Sequence, residues 1–189
     1  MNATAMKAPV TLVEPGTVRL ERLLPGPVER VWAYLTESKK RATWFAGGEF
    51  DLRVGGRIEL RFDHANLSSD KIPPEKHRNM GTPVFGGVVT RLEPMKVLAY
   101  TWKWDSGDTE VTFELAPRGK DTLLVIVHRR IGERGKVISV MSGWDTHTGI
   151  LADVLNGVEP RPFWTTHSRL EKEYASAVEA GSRPSATAA

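Results

Sequence analysis

The residue of this sequence best placed to do chemistry is His147, within the stretch GWDTHTGILADVLNG at 143–157. At helical spacing Trp144, His147, Thr148, Leu151, Leu155 and Val158 share one face. An imidazole and a hydroxyl then sit near the first turn of an apolar stripe. Imidazole titrates near neutral pH, so it can act as a base, ligate a metal or orient a ligand by hydrogen bonding. No acid at a recognisable spacing partners His147. A hydrogen-bonding role at a pocket wall, or a packed place at the core edge, is therefore favoured over catalysis.

His128 raises the same question. It ends the alternating face Leu124, Ile126, His128, which points it inward at the end of a strand, where it can meet His147. Two histidines make a poor metal site, because catalytic zinc usually takes three protein ligands. Asp63, His64 and His77 offer further ligands, but their spacing matches no metal motif, so no metal or cofactor is expected. Ser139 and Ser142 flank Met141 without a base at known spacing, and no GxSxG nucleophile motif is present. The glycine pairs at 47–48, 55–56 and 86–87 match no phosphate-cradling loop and read as turns and bulges.

The third group is aromatic: Trp44, Phe45, Phe62, Phe85, Tyr100, Trp102, Trp104 and Trp144. These residues either fill a core or line a pocket for an apolar or aromatic ligand. The polar edges of Trp and Tyr need partners when buried, and a ligand or water can supply them.

The elements that must position these residues follow from periodicity. Residues 17–24 read as a first strand, with Val18, Leu20 and Leu24 on one side. Pro27 suits the first turn of a helix carrying Val28, Val31, Trp32 and Leu35. Ser38 is placed to cap a second short helix through Trp44 and Phe45. The period then changes to two. EFDLRVGGRIELRF alternates apolar and charged residues on both sides of Gly55-Gly56 and reads as a half-buried hairpin. Residues 63–83, rich in Pro, Asn and Ser, read as a loop insertion. Strands follow at 85–92, 97–104, 109–115 and 121–131, with turns LEPMK, WDSGD and APRGKD. Residues 132–140 are ambiguous. Ser142 with Asp145 resembles a capping box opening the next helix, and Asn156-Gly157 closes it. After Pro160 and Pro162 a last helix starts at Phe163 and Trp164, which can pack on the domain or on a partner.

The order is α+β, with about six antiparallel strands and helices packed on one face of a curved sheet. Residues 1–16 read as a flexible arm, 17–175 as one domain and 176–189 as a disordered tail. Composition sets outer limits. Twenty-six basic and 23 acidic residues give a net charge of +3, interleaved rather than blocked, which argues against a nucleic-acid partner. Arg53, Arg57, Arg61, Arg129 and Arg130 read as solvent-face charges. There is no cysteine, which excludes disulfides and thiolate chemistry and fits a reducing compartment. No run approaches the ~18 apolar residues of a membrane span, and the N-terminus lacks a signal-peptide core. Cytoplasmic localisation is expected.

The layout resembles the START-like (helix-grip, SRPBCC) superfamily. Within it, the motifs resemble the domain named after the activator of the Hsp90 ATPase. The carrying residues are PVERVWAYLT at 27–36, TWFAGG at 43–48, LAYTWKW at 98–104, VTFEL at 111–115, LVIVHRRI at 124–131 and GWDTHTGILADVLNG at 143–157. The resemblance covers residues 17–175. It implies a bent antiparallel sheet of about six to seven strands wrapped around a long C-terminal helix, with two short helices after the first strand. It also implies a cavity between sheet and helix, since family members are mostly small-molecule or lipid binders. The Hsp90 activator itself carries another domain ahead of this one, for which this sequence has no room, so chaperone activation is not expected to carry over. The family commonly has Leu at the position of Thr148, which makes the His147–Thr148 pair a place to look for a distinctive ligand.

The leading expectation is therefore binding of a small hydrophobic or amphipathic ligand: lipid, aromatic or polyketide-like. The wall would comprise Trp44, Phe62, Phe85, Tyr100, Trp102, Trp104, His128, Trp144, His147, Thr148 and Leu151. The alternatives are a co-chaperone-like or regulatory interaction module, and a cyclase or hydrolase using a cavity histidine. No catalytic residue is assigned, and neither membrane insertion nor a particular protein partner is indicated.

Overall fold

The computed structural model describes residues 9–104 and 107–181. In chain order its elements are β1 (Thr11–Glu14), β2 (Thr17–Leu24), α1 (Val28–Thr36), α2 (Ser38–Arg41), β3 (Arg57–Arg61), β4 (Val84–Glu93), β5 (Val97–Trp104), β6 (Gly107–Arg118), β7 (Asp121–Arg129), α3 (Arg134–Leu155) and α4 (Phe163–Gly181). The strands form one antiparallel sheet in the order β1-β2-β7-β6-β5-β4-β3. This is the α+β helix-grip arrangement: α3 lies against the sheet and α4 packs on α3.

Alternation does most of the work in the sheet. Side chains one apart point to opposite faces, so Val18, Leu20 and Leu24 of β2, Leu124 and Ile126 of β7 and Val111, Phe113 and Leu115 of β6 all reach the core. The sheet must bend to hold a helix, and part of the bend is at Gly87. A Cβ built there would stand 1.8 Å from the Thr101 carbonyl oxygen, so only glycine lets β4 approach β5 so closely. The β4–β5 register shifts just beyond it, between Val89 and Arg91.

Several expectations need correction. Residues 11–14, read as part of a flexible arm, form an edge strand on β2. The helix α4 continues through 176–181, read as tail. Residues 1–8 of the arm, 105–106 of the WDSGD turn and 182–189 of the tail lie outside the described residues. Residues 49–54 are not a strand: only Phe50 bridges, to Ile58. The Asp51 amide donates to the Arg57 carbonyl and the Arg53 amide to that of Asp51, so the chain curls there. Leu52 and Val54 are left exposed, because alternation without a covering layer buries nothing. Ser38 makes no side-chain cap, and α2 stops at Arg41.

The largest correction concerns α3. It begins at Arg134, about two turns before the expected cap at Ser142. Gly135 and the β-branched Val137, Ile138 and Val140 are weak helix formers. Burial of Val137, Val140 and Met141 outweighs that weakness. Ser142 therefore sits inside the helix, its hydroxyl donating to the carbonyls of Ile138 and Ser139. The stop at Asn156-Gly157 is as expected. Gly157, at φ 68°, donates to the Val154 carbonyl and Val158 to that of Asp153, a Schellman closure.

Asp145, expected in a capping box, is instead the centre of a buried polar cluster. It accepts from Arg22 Nη2 at 2.8 Å and from the Tyr174 hydroxyl at 2.6 Å. That hydroxyl accepts from the Val10 amide at 2.9 Å. Both charges are nearly fully buried, so each is tolerable only because the other is present. Replacing Asp145 by Ala should cost about 3–5 kcal/mol of unfolding free energy, because the Arg22 charge remains buried. The paired change Arg22→Met with Asp145→Leu should recover most of that loss. Urea denaturation of the three proteins decides it: a paired variant no better than Asp145→Ala would refute the charge argument.

Candidate functional site

A cavity of about 240 Å³ lies between the sheet, α3 and α4. All five histidines of the sequence line it: His64 and His77 from the 63–83 insertion, His128 from β7, His147 from α3 and His167 from α4. The rest of its wall is largely aromatic. Phe45 stacks on Trp144 with ring centroids 5.0 Å apart, and Phe62 stacks on Trp102 at 5.7 Å. Phe85, Trp104, Phe163 and Trp164 complete the ring surface.

Each part of the wall has a local cause. Phe45 is held by the loop after α2, which is organised by Arg41. The buried Arg41 guanidinium donates to the carbonyls of Ala46 at 3.0 Å and Thr36 at 2.9 Å, and also to that of Gly48. It lies 3.6 Å over the Phe50 ring. The insertion is docked through α4. Ser68 Oγ accepts from the Phe163 amide at 3.0 Å, and Asp70 Oδ2 accepts from the Thr165 amide at 2.8 Å. These bonds satisfy two of the free N–H groups that open any helix. They also hold the insertion beside the cavity, where it contributes His64, His77, Met80 and Pro83. Met80 is exposed and His77 and Trp104 are half-buried, which places them at the outer rim.

The hydrogen-bond network sets what two of the histidines can do. An indole N–H only donates. Trp144 Nε1 donates to His128 Nδ1 at 3.1 Å, so the proton of that ring is on Nε2, which donates to Thr109 Oγ1 at 2.8 Å. Both His128 nitrogens are thus used, and no lone pair is free for proton abstraction. His147 differs. Its Nδ1 lies 2.8 Å from the Trp44 carbonyl oxygen, which only accepts, so Nδ1 carries the proton. Nε2 is then the one acceptor its ring offers. Burial in this apolar surrounding lowers both pKa values to about 3, helped at His147 by nearby His64. Burial likewise lowers His64 and His167 to about 4.

Of the eleven residues expected at a ligand cavity, Phe62, Phe85, Trp102, Trp104, His128, Trp144 and His147 line it. The other four are elsewhere in the interior. Trp44 contributes its backbone carbonyl, while its indole donates to the Tyr34 carbonyl. Tyr100 packs on Phe50 and Phe113. Leu151 is fully buried core. Thr148 turns its hydroxyl back to the Trp144 carbonyl at 2.7 Å, so it forms no pair with His147. His128 and His147 share the cavity, but their hydrogen bonds lead to separate partners. Sequence reasoning missed His167 and left Phe163 and Trp164 unplaced. Their spacing of one helical turn was the available signal, since it puts Phe163, Trp164 and His167 on one face.

Residues 25–156 match the family described as Activator of Hsp90 ATPase homolog 1-like protein. The chain belongs to that family. A Bordetella parapertussis protein of solution NMR structure is 38% identical, with a TM-score of 0.76 over 92% of this chain and 93% of that one. A Chromobacterium violaceum protein is 26% identical, with a TM-score of 0.60 over 75% of this chain and 98% of that one. CalU16 from Micromonospora echinospora shares the fold at 22% identity, with a TM-score of 0.67 over 93% of this chain and 98% of that one. Among curated proteins nothing matches the chain. The family match ends before α4, so Phe163, Trp164 and His167 lie beyond it. No helix among the described residues is long and apolar enough to cross a membrane.

The neutral histidines couple stability to pH. In the unfolded chain each protonates near its ordinary 6.5; in the folded chain protonation waits until about 4 for His64 and His167 and about 3 for His128 and His147. Below 6.5 the unfolded state binds more protons, so stability is complete above that pH and is lost as pH falls. Each histidine adds a slope of about 1.4 kcal/mol per pH unit once its unfolded form is protonated. Denaturation between pH 7.5 and 5 should show this loss, and His128→Gln should flatten the slope by one such unit. An unchanged slope in that variant would contradict the assignment.

Proposed function

We propose that this protein binds a small, planar, mostly apolar molecule bearing oxygen acceptors in the aromatic cavity. One observation carries the reading. Trp102, Trp104 and Trp164 all line the cavity, and each has a buried indole N–H without a hydrogen-bond acceptor. A buried N–H left unpaired is costly and calls for a partner. Ligand carbonyl, hydroxyl or carboxyl oxygens are acceptors of the right kind, and His147 Nε2 can receive a ligand hydroxyl. The size fits too: an apolar cavity of about 150 Å³ accepts benzene, and this one, at about 240 Å³, has room for a larger ring system.

Two features favour binding over turnover. Among the described residues no carboxylate lines the cavity, and His147, which keeps a free acceptor nitrogen, has its other nitrogen on the Trp44 carbonyl rather than on an Asp or Glu. His128 has both nitrogens engaged. An aromatic or polyketide-like molecule suits the stacked rings better than a simple acyl chain, because aromatic pairs gain from ring-to-ring geometry.

The test is a titration with flavonoid-like aromatics, polyketides and fatty acids, followed by indole and amide NMR shifts. Oxygenated aromatics are expected to move the Trp102, Trp104 and Trp164 indole signals with saturation. Trp102→Leu should weaken that binding by roughly tenfold. If no class of compound shifts these indoles in the folded protein, the reading fails.

A further inference from the structure

We infer that His77, His167 and Glu171 form a binding site for a divalent transition-metal ion, zinc above all, at the cavity rim. This goes beyond ligand binding and does not depend on it.

The three residues come from two distant parts of the chain. His167 and Glu171 are four apart on α4 and so share a helix face. His77 reaches them from the short 3-10 turn Glu75–His77 of the insertion. One ligand atom from each lies within 4.8 Å of the others. Zinc ligands at ~2.0–2.1 Å from a tetrahedral ion stand about 3.3 Å apart. Modest side-chain rotation closes that gap, because His77 and Glu171 are only part-buried.

The hydrogen bonds prepare the histidines for this role. The Ser142 hydroxyl donates its proton to the Ile138 carbonyl, so towards His167 Nε2, 3.4 Å away, its oxygen can only accept. Nε2 of His167 then carries the ring proton, and Nδ1 holds a lone pair. That Nδ1 is buried and has no hydrogen-bond partner. The same is true of His77 Nε2. A metal-ligating histidine commonly has its second nitrogen fixed by an outer hydrogen bond, as Ser142 fixes His167.

Two imidazoles and one carboxylate are a ligand set that zinc accepts, and they leave a coordination position for water or a ligand oxygen. His77 and His167 both line the cavity, which places that chemistry at its edge. One competitor is present. Lys76 pairs with Glu171 Oε2, and its half-exposed ammonium must swing into solvent when the ion enters. Lys76 therefore weakens metal binding in the native chain.

The untagged protein, stripped with chelator, is titrated with Zn²⁺ by calorimetry and with Co²⁺ by visible absorption. One Zn²⁺ per chain is expected, together with Co²⁺ d–d bands of a low-coordinate nitrogen and oxygen site. His167→Ala and Glu171→Gln should each weaken Zn²⁺ by more than the roughly 10–100-fold that a lost outer partner costs. Lys76→Ala should tighten it. His77→Ala, on the insertion, tests the site should His167→Ala not fold. Absence of saturable one-to-one binding overturns the inference, as does affinity unchanged by His77→Ala and Glu171→Gln in folded protein.

Discussion

The structure depends on one buried pairing of charge, Arg22 on β2 with Asp145 on α3. Apolar contact alone would let a helix slide or rotate on a sheet, because hydrophobic attraction has no direction. A buried ion pair does not permit that freedom. Moving α3 by one turn would leave a guanidinium and a carboxylate unpaired inside the protein. Tyr174 and the Val10 amide extend the constraint to α4 and to the segment leading into β1. With α3 fixed in rotation, Trp144 and His147 must face the sheet, and the cavity is placed by that fact.

Around the cavity, polar groups divide into two kinds. His128 is closed on both sides by Trp144 and Thr109 and behaves as a polar part of the wall. His147 is closed on one side only. The indoles of Trp102, Trp104 and Trp164 have no acceptor at all. Satisfied groups hold the rings in place, whereas the unsatisfied ones keep unmet hydrogen-bonding capacity inside the protein. Belonging to the Activator of Hsp90 ATPase homolog 1-like family accounts for the architecture, but these hydrogen bonds come from particular residues of this chain.

Much of the fold was legible because its cause is periodic. Alternation located β2 and β4 to β7, and the Asn156-Gly157 stop located the end of α3. Failures came where a local rule was satisfied but tertiary context overrode it. Ser142 and Asp145 have a capping spacing, yet one lies mid-helix and the other binds Arg22. Leu52 and Val54 alternate like a strand, but no layer covers them. Arg22 itself occupies an inward position between Leu20 and Leu24. Such a break in an apolar face marks a buried partner without naming it. Thr148 has helical spacing that puts it beside His147, and its hydroxyl still turns back to its own helix, as threonine hydroxyls in helices can.

The family resemblance carried by motifs such as LAYTWKW and GWDTHTGILADVLNG implied the helix-grip arrangement and its cavity. By itself the spacing of residues determined the α+β class, strands β2 and β4 to β7 and the helix stop at Asn156-Gly157. These follow from spacing along a chain, which is a local property. Only the tertiary structure decided that all five histidines surround one cavity, which ring nitrogen of His128, His147 and His167 carries its proton, and that the insertion caps α4 while bringing His77 to His167 and Glu171. Those are relations between residues far apart in sequence. They depend on donor and acceptor geometry after packing, and no one-dimensional pattern encodes which lone pair is left over.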